Sequence, residues 1–235
     1  MKKALGFSLI ELAIVLVIVT LLVGGLVGPL AAQIQARRVA ETERTLGEAR
    51  DAITGYAMTH RTAAGKPYLP CPDVDGDGRE DRLGKKCREG AGYFPWVDLA
   101  SAAQDAWGNR LRYVVEDSLA DGTKGFSPAT VLPSPPETGW HQVASDSGCA
   151  SVDVAAGVPF VLISHGPNGW GARSVSGSTL AAPTSADELE NLNDDACHVA
   201  RAPGRANDAA GEFDDLVSWL SFGVLLSRVC PSGCP

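Results

Sequence analysis

The sequence has few aromatic side chains (6%), only two methionines and four histidines, and its acidic residues outnumber the basic ones 28 to 20. With that balance, and with no long cluster of Lys and Arg, it does not suit a nucleic-acid grip, which needs basic side chains to displace phosphate counterions. GxSxG, HExxH and a phosphate-binding loop are all absent, which excludes the commonest hydrolase, zinc-protease and nucleotide sites. The histidines (His60, His141, His165, His198) are scattered, and Ser164 and His165 are adjacent, a spacing unsuited to a nucleophile and its base. No catalytic constellation follows, and the chain reads as a non-enzyme. No internal repeat is visible. Charge is scarcest between Phe7 and Leu30, where Glu11 is the only ionisable side chain.

That stretch, FSLIELAIVLVIVTLLVGGLVGPL, would extend about 36 Å as a helix, enough for a hydrocarbon core of about 30 Å. Three readings compete: a permanent anchor, a cleaved secretory signal and a buried core helix. A core helix of this length exceeds what a small domain buries. A signal peptide fits Lys2 and Lys3 and a small-residue site near Ala31 and Ala32, but its apolar region would be too long and would hold a carboxylate. An acid within a membrane segment is costly and needs a partner.

Gly6-Phe7-Ser8-Leu9-Ile10-Glu11 resembles the processing site of type IV prepilins and the pseudopilins of type II secretion. The resemblance implies a leader over residues 1–6, removed after Gly6 by a prepilin peptidase that also methylates the new amino terminus at Phe7. It implies a transmembrane and filament-core helix over 7–30, with Glu11 neutralising the Phe7 amine of a neighbouring subunit during assembly. The implied partners are other pilin or pseudopilin subunits, membrane lipid and an inner-membrane assembly platform driven by a separate ATPase. The implied location is the bacterial inner membrane, single-pass with a periplasmic head, and then a pilus or pseudopilus.

Gly24, Gly25, Gly28 and Pro29 predict a kink or a locally melted turn. Beyond them, Val39, Leu46, Ala49, Ile53 and Tyr56 recur at helical spacing while Arg37, Arg38, Glu43, Arg44 and Glu48 stay wet, predicting an amphipathic stalk helix over 31–60. Residues 61–235 read as one globular head. Strands are expected at Arg110–Glu116, Val158–Ser164 and Gln142–Ala144, an irregular loop at Ser127–Gly139, and a last helix from Phe213 or Asp214 to Arg228. The expected fold class is α+β, a long helix packed on an antiparallel sheet with disulfide-pinned loops.

Asp105-Ala106-Trp107-Gly108-Asn109-Arg110, followed by Tyr113, resembles the DPWG-type turn of the major pseudopilin, with Ala106 where proline is common. Leu162–Gly169 and Asp214–Trp219 resemble that protein's C-terminal strand, glycine loop and acidic-aromatic ending. The resemblance implies calcium at Asp214 and Asp215, although more than 40 residues separate the two blocks here. Such an insertion-rich head suits a minor subunit.

Asp73, Asp75, Asp77 and Asp81 form DxDxDGxxD, alternate hard oxygen donors with a glycine, Gly78, at the sixth position as a calcium loop needs, although Gly84 stands where an EF-hand has its glutamate. Cys71, Cys87, Cys149, Cys197, Cys230 and Cys234 make an even set, which behind a membrane-targeting segment reads as a disulfide framework. Many pairings are open; local spacing favours Cys71–Cys87, Cys149–Cys197 and Cys230–Cys234. A zinc set of Cys197, His198, Cys230 and Cys234 lacks a CxxC pair. Trp96, Trp107, Trp140, Trp170 and Trp219 suit core packing and subunit contacts, and the rival functional class is a membrane-anchored periplasmic binding protein recognising sugar or protein.

Overall fold

A computed structural model describes residues 8–130, 140–149 and 153–235, apart from the side chains at 23 and 25–29. The leader, Gly6, Phe7 and most of the Ser127–Gly139 loop lie outside the described residues. The chain divides into two compact units, Met1–Ala40 and Glu41–Pro235.

Helix α1 (Leu9–Thr59) has 51 residues. It begins on a reciprocal cap: Glu11 N–H donates to Ser8 Oγ (3.3 Å), while Glu11 Oε2 accepts from Ser8 N–H (2.8 Å) and from the Ser8 hydroxyl (3.0 Å). Ser-x-x-Glu before an apolar run is a capping box, which satisfies donors that a helix start leaves open. Helical backbone continues through Gly24, Gly25, Gly28 and Pro29, correcting the locally melted turn expected there. A proline removes one ladder donor, and the cooperative turns on either side hold the helix.

Among the described residues no helix is long and apolar enough to cross a membrane. The transmembrane span expected over 7–30 is therefore not supported.

In the second unit, Leu46, Ala49, Ile53, Tyr56 and Ala57 of α1 are buried while Glu43, Arg44 and Glu48 are exposed. The same stripe carries Thr42, Thr45 and Thr54, also buried. Thr45 and Thr54 turn their hydroxyls back to the Glu41 and Arg50 carbonyls, so neither brings an unmet polar group into the seam.

Two short strands, β1 (Arg82–Leu83) and β2 (Lys86–Cys87), form a hairpin. A four-stranded antiparallel sheet joins β3 (Ala91–Tyr93), β4 (Arg112–Val115), β7 (Phe160–Ser164) and β9 (Leu216–Trp219) in that order. Between β4 and β7 lie helix α2 (Asp117–Ala120) and the strands β5 (His141–Ala144) and β6 (Ala155–Val158). Helix α3 (Ala186–Glu190) and strand β8 (Cys197–Val199) precede β9, and α4 (Phe222–Val229) follows it. A second sheet has the order β6-β5-β8, with β5 and β8 parallel.

Strand β7 is central to both layers of core. Its five residues are all buried, and alternation sends Phe160 and Leu162 to one face and Val161 and Ile163 to the other. The first pair joins Leu46, Ala49 and Ile53 of α1 and Phe222 and Leu225 of α4; the second packs with Val143 and Val158 of the small sheet. A run buried on both faces loses the apolar–polar alternation that marks a half-wet strand.

Two expectations are corrected. The head is mixed rather than wholly antiparallel, because Gln142, Val143 and Ala144 pair in parallel with Cys197, His198 and Val199. The helix expected from Phe213 or Asp214 is instead β9 followed by α4: Leu216, Val217, Ser218 and Trp219 bond to β7, and Ser221 then caps the helix at Val224 N–H. An available strand edge overrides local helical preference.

The parallel pair buries two histidines. His198 Nε2 and His141 Nδ1 stand 3.3 Å apart, and His198 Nδ1 is buried without a hydrogen-bond partner. Burial, then the charges of His141 and Arg112, push His198 down to about 3. Burial also lowers His141, against the opposing Val115 backbone and nearby Glu116, Asp117 and Asp195. Since the folded His198 titrates below the ordinary 6.5, the unfolded chain takes a proton that the fold refuses. Stability from this site is complete above about pH 6.5 and falls as pH drops towards 3.

Two outcomes follow for denaturant unfolding of the detergent-solubilised chain. Phe160→Ala should cost about 3–5 kcal/mol, and the exposed Val97→Ala under about 0.5 kcal/mol. Between pH 7 and pH 4, His198→Gln should lose on the order of 3 kcal/mol less stability than the parent chain; equal losses would show that His198 does not carry the acid sensitivity.

Candidate functional site

At the start of α1 the Glu11 side chain is exposed and bound to its own Ser8. The processing residues Gly6 and Phe7 lie outside the described residues. The capping role of Ser8 was available in the sequence as Ser-x-x-Glu, a signal that the membrane reading of the same four residues overshadows.

The Asp105 turn joins helix to sheet. Asp105 Oδ1 accepts from the N–H groups of Trp107 and Asn109, both at 2.9 Å, and its Oδ2 accepts from the Ser164 hydroxyl at 2.7 Å. Ala106 N–H donates to Thr42 Oγ1 of α1 at 3.1 Å. Tyr113 is fully buried, as a core role requires, whereas Trp107 is only half-buried. Trp140 alone among the five tryptophans is core; Trp96 is half-buried and stacks under Arg110, 3.7 Å from the ring centre.

The 73–81 loop is wound on its own carboxylates. Asp73, fully buried, accepts Gly76 N–H on Oδ1 (2.6 Å) and Gly78 N–H on Oδ2 (2.8 Å); burial raises its carboxyl despite both bonds. Asp81 Oδ2 accepts Val74 N–H at 2.7 Å. Asp73, Asp75 and Asp81 bring carboxylate oxygens within 4.8 Å of one another, but Asp77 stands outside the group and caps Arg79 N–H instead. Gly78 has φ +90°, and any Cβ there would collide with Trp96.

A second acidic group gathers Glu188 of α3 with Asp214 and Asp215, again within 4.8 Å. Glu188 and Asp215 are buried. Asp214 is pushed up to about 7, chiefly by burial and then, against the opposing Asn168 N–H, by the charges of Glu188 and Asp215. Its Oδ1 is buried and makes no hydrogen bond. His165, 3% exposed, turns Nδ1 towards Asp215 Oδ1 at 3.5 Å, and that nitrogen too lacks a hydrogen bond. Asn191, fully buried, donates to Asp215 Oδ2 (2.8 Å) and to the Val199 carbonyl (3.0 Å), so the cluster is braced by β8. Gly166, at φ +57°, lets the chain pass against the Asp214 carbonyl, where a Cβ would collide. Glu188 and His165 gave no sequence signal as site residues, because the long excursion from 170 to 212 brings Glu188 to Asp214 and the β7–β9 pairing, with Ser164 opposite Leu216, brings His165 to Asp215.

All six cysteines are paired, as Cys71–Cys87, Cys149–Cys197 and Cys230–Cys234. With their sulfurs so joined, the zinc set of Cys197, His198, Cys230 and Cys234 is not assembled. A cleft of about 480 Å³ is lined by residues 89–91 and 114–117 together with His141 and Asp194.

None of the curated proteins and none of the solved structures matches the chain. A family match does occur at its start, covering the segment in which Ser8 and Glu11 cap the helix. Residues 1–27 carry the prokaryotic N-terminal methylation motif, the signature of type IV pilins and pseudopilins.

Proposed function

We propose that the chain is a minor structural subunit of a type IV pilus or of a type II secretion pseudopilus. The observation that carries this reading is the methylation motif over residues 1–27. A prepilin peptidase removes residues 1–6 after Gly6 and methylates Phe7, leaving a cationic amine one helical turn before Glu11. The subunit is held at the inner membrane by its apolar N-terminal helix, presents its head to the periplasm, and is lifted into the filament by an assembly platform with a separate ATPase. Glu11 of one subunit neutralises the Phe7 amine of the next, where low dielectric makes an unpaired charge expensive. The enclosing disulfides suit an oxidising compartment.

Glu11 also caps its own helix, and two substitutions separate the roles. Glutamine can replace glutamate in a capping box, so Glu11→Gln keeps the cap and removes the charge, whereas Glu11→Ala removes both. In cells carrying the assembly machinery, both variants should be processed normally, read by mass of the amino terminus, and both should fail to enter filaments. Wild-type incorporation of Glu11→Gln would mean that the carboxylate serves only as a cap.

Calcium is proposed as a structural ion of the head. The group Glu188, Asp214 and Asp215 has the stronger claim, since it offers hard oxygen donors, one of them buried and unbonded, with no Lys or Arg ion-paired to it among the described residues. At the 73–81 loop both Asp73 oxygens are already engaged by backbone N–H groups. Calcium at about 100 times its Kd should stabilise the chelator-treated chain by about 2.7 kcal/mol, and Glu188→Gln with Asp214→Asn should abolish the gain. A gain that survives that pair but is lost with Asp75→Asn and Asp81→Asn would move the ion to the first loop.

A further inference from the structure

The three disulfides differ in what they close and in what surrounds their sulfurs. Cys71–Cys87 joins residues 16 apart, with Cys71 wholly buried in the main core. Cys149–Cys197 joins residues 48 apart and holds the buried Cys197 of β8. Cys230–Cys234 joins residues only four apart, and Pro231, Ser232 and Gly233 between them are exposed. A loop so short restricts the unfolded chain least, so folding lends this bridge the least protection against reduction. Cys230 and Cys234 themselves are half-buried, and bridges with little such protection are the labile ones.

Arg61 adds a chemical bias. Its Nη1 donates to Cys234 Sγ at 3.4 Å, while its Nη2 donates to the Met58 carbonyl near the end of α1 and to the Val229 carbonyl ending α4, each at 3.3 Å. The guanidinium is thus pinned against one sulfur of the pair. Among the described residues no carboxylate forms an ion pair with it, and no Arg or Lys hydrogen-bonds a sulfur of the other two bridges. A cation held beside a sulfur stabilises its thiolate, and a stabilised thiolate is the faster leaving group in exchange.

We propose that Cys230–Cys234 is a thiol–disulfide exchange site, opened and reset by the dithiol of a partner oxidoreductase. One partner thiolate attacks Cys230 Sγ; the bond between the two sulfurs breaks, and its electron pair leaves on Cys234 as a thiolate against Arg61. The partner's second thiolate then attacks its own first sulfur in the mixed disulfide and expels Cys230 as a thiolate. The two protons shed by the partner dithiol are matched by two taken up at Cys230 and Cys234. The dithiol is oxidised, the pair is reduced, and the reverse sequence closes the loop. This exchange does not depend on filament assembly.

The full chain in detergent would be exposed to graded dithiothreitol at pH 7, quenched by alkylation and mapped by peptide mass spectrometry, with far-ultraviolet circular dichroism read alongside. Cys230 and Cys234 should be alkylated at least tenfold faster than the other four cysteines while helix and sheet signals persist. Arg61→Gln should slow that reduction at least threefold, and Arg61→Lys should restore most of the rate. The Cys230→Ser, Cys234→Ser double variant should keep its fold, separating exchange from structural need. A thioredoxin-type oxidoreductase lacking its resolving cysteine should be trapped on Cys230. Simultaneous opening of all three bridges, an unchanged rate in Arg61→Gln, or trapping on Cys234 would each overturn the proposal.

Discussion

The head is organised by one contact surface, where the stripe of α1 from Leu46 to Ala57 lies in the same core as Tyr113 of β4 and Phe160 and Leu162 of β7. Burying Leu46 and Ile53 stabilises the fold by roughly 1.5–3 kcal/mol each, and the small Ala49 and Ala57, both fully buried, leave room for the aromatic rings. Apolar packing alone tolerates sliding along a helix. The polar contacts at Asp105 remove that freedom: Ala106 N–H bonds to Thr42 of the helix, and the same turn accepts the Ser164 hydroxyl from the end of β7. Losing that carboxylate would strand three donors at once, each costing about 1–3 kcal/mol if left buried and unmet.

The second face of the main sheet sets a different requirement. Val161 and Ile163 need cover, and the small sheet supplies it through Val143 and Val158. Strand β8 reaches that sheet only because the chain makes its long excursion between Gly169 and Asp214. Asn191 and Glu188, carried on or beside α3, return with it. Asn191 then bonds both β8 and Asp215, and Glu188 comes to rest beside Asp214. The long segment between β7 and β9 therefore builds the carboxylate group at its far end.

What the sequence revealed follows from the range of the interactions involved. The α1 stripe was legible because its period is local and its wet residues are charged. Strands β4 and β7 were legible as short β-branched and aromatic runs between turns, and β5 less surely, with Val143 its one β-branched residue. Strand β9 was not, since Asp214–Trp219 is ambiguous alone and becomes a strand only where the β7 edge is free to receive it. The parallel join of β5 to β8 was equally hidden, as it links residues more than 50 apart with no turn between them to fix register. Of the carboxylate group, Asp214 and Asp215 were visible through a resemblance, while His165 and Glu188 depended on tertiary placement. The Ser8–Glu11 cap was written in four adjacent residues, under a motif whose resemblance draws the same glutamate into another reading.

The assembly role proposed for Glu11 would draw on the same carboxylate that caps its helix. In the single chain, Oε2 takes both the N–H and the hydroxyl of Ser8, an arrangement that water screens at an exposed helix start. An amine placed against the same carboxylate in a water-excluded bundle interacts far more strongly, since Coulomb attraction grows as the local dielectric falls. The cap holds the carboxylate at the helix start of the single chain, and under the proposed assembly it would yield to a neighbour's cation. Held this way, the acid would already stand at its level of the helix before any partner arrived, and the proposed exchange of Ser8 for an amine would be favourable only where water is excluded. Glutamine would preserve the first state and has no charge with which to enter the second.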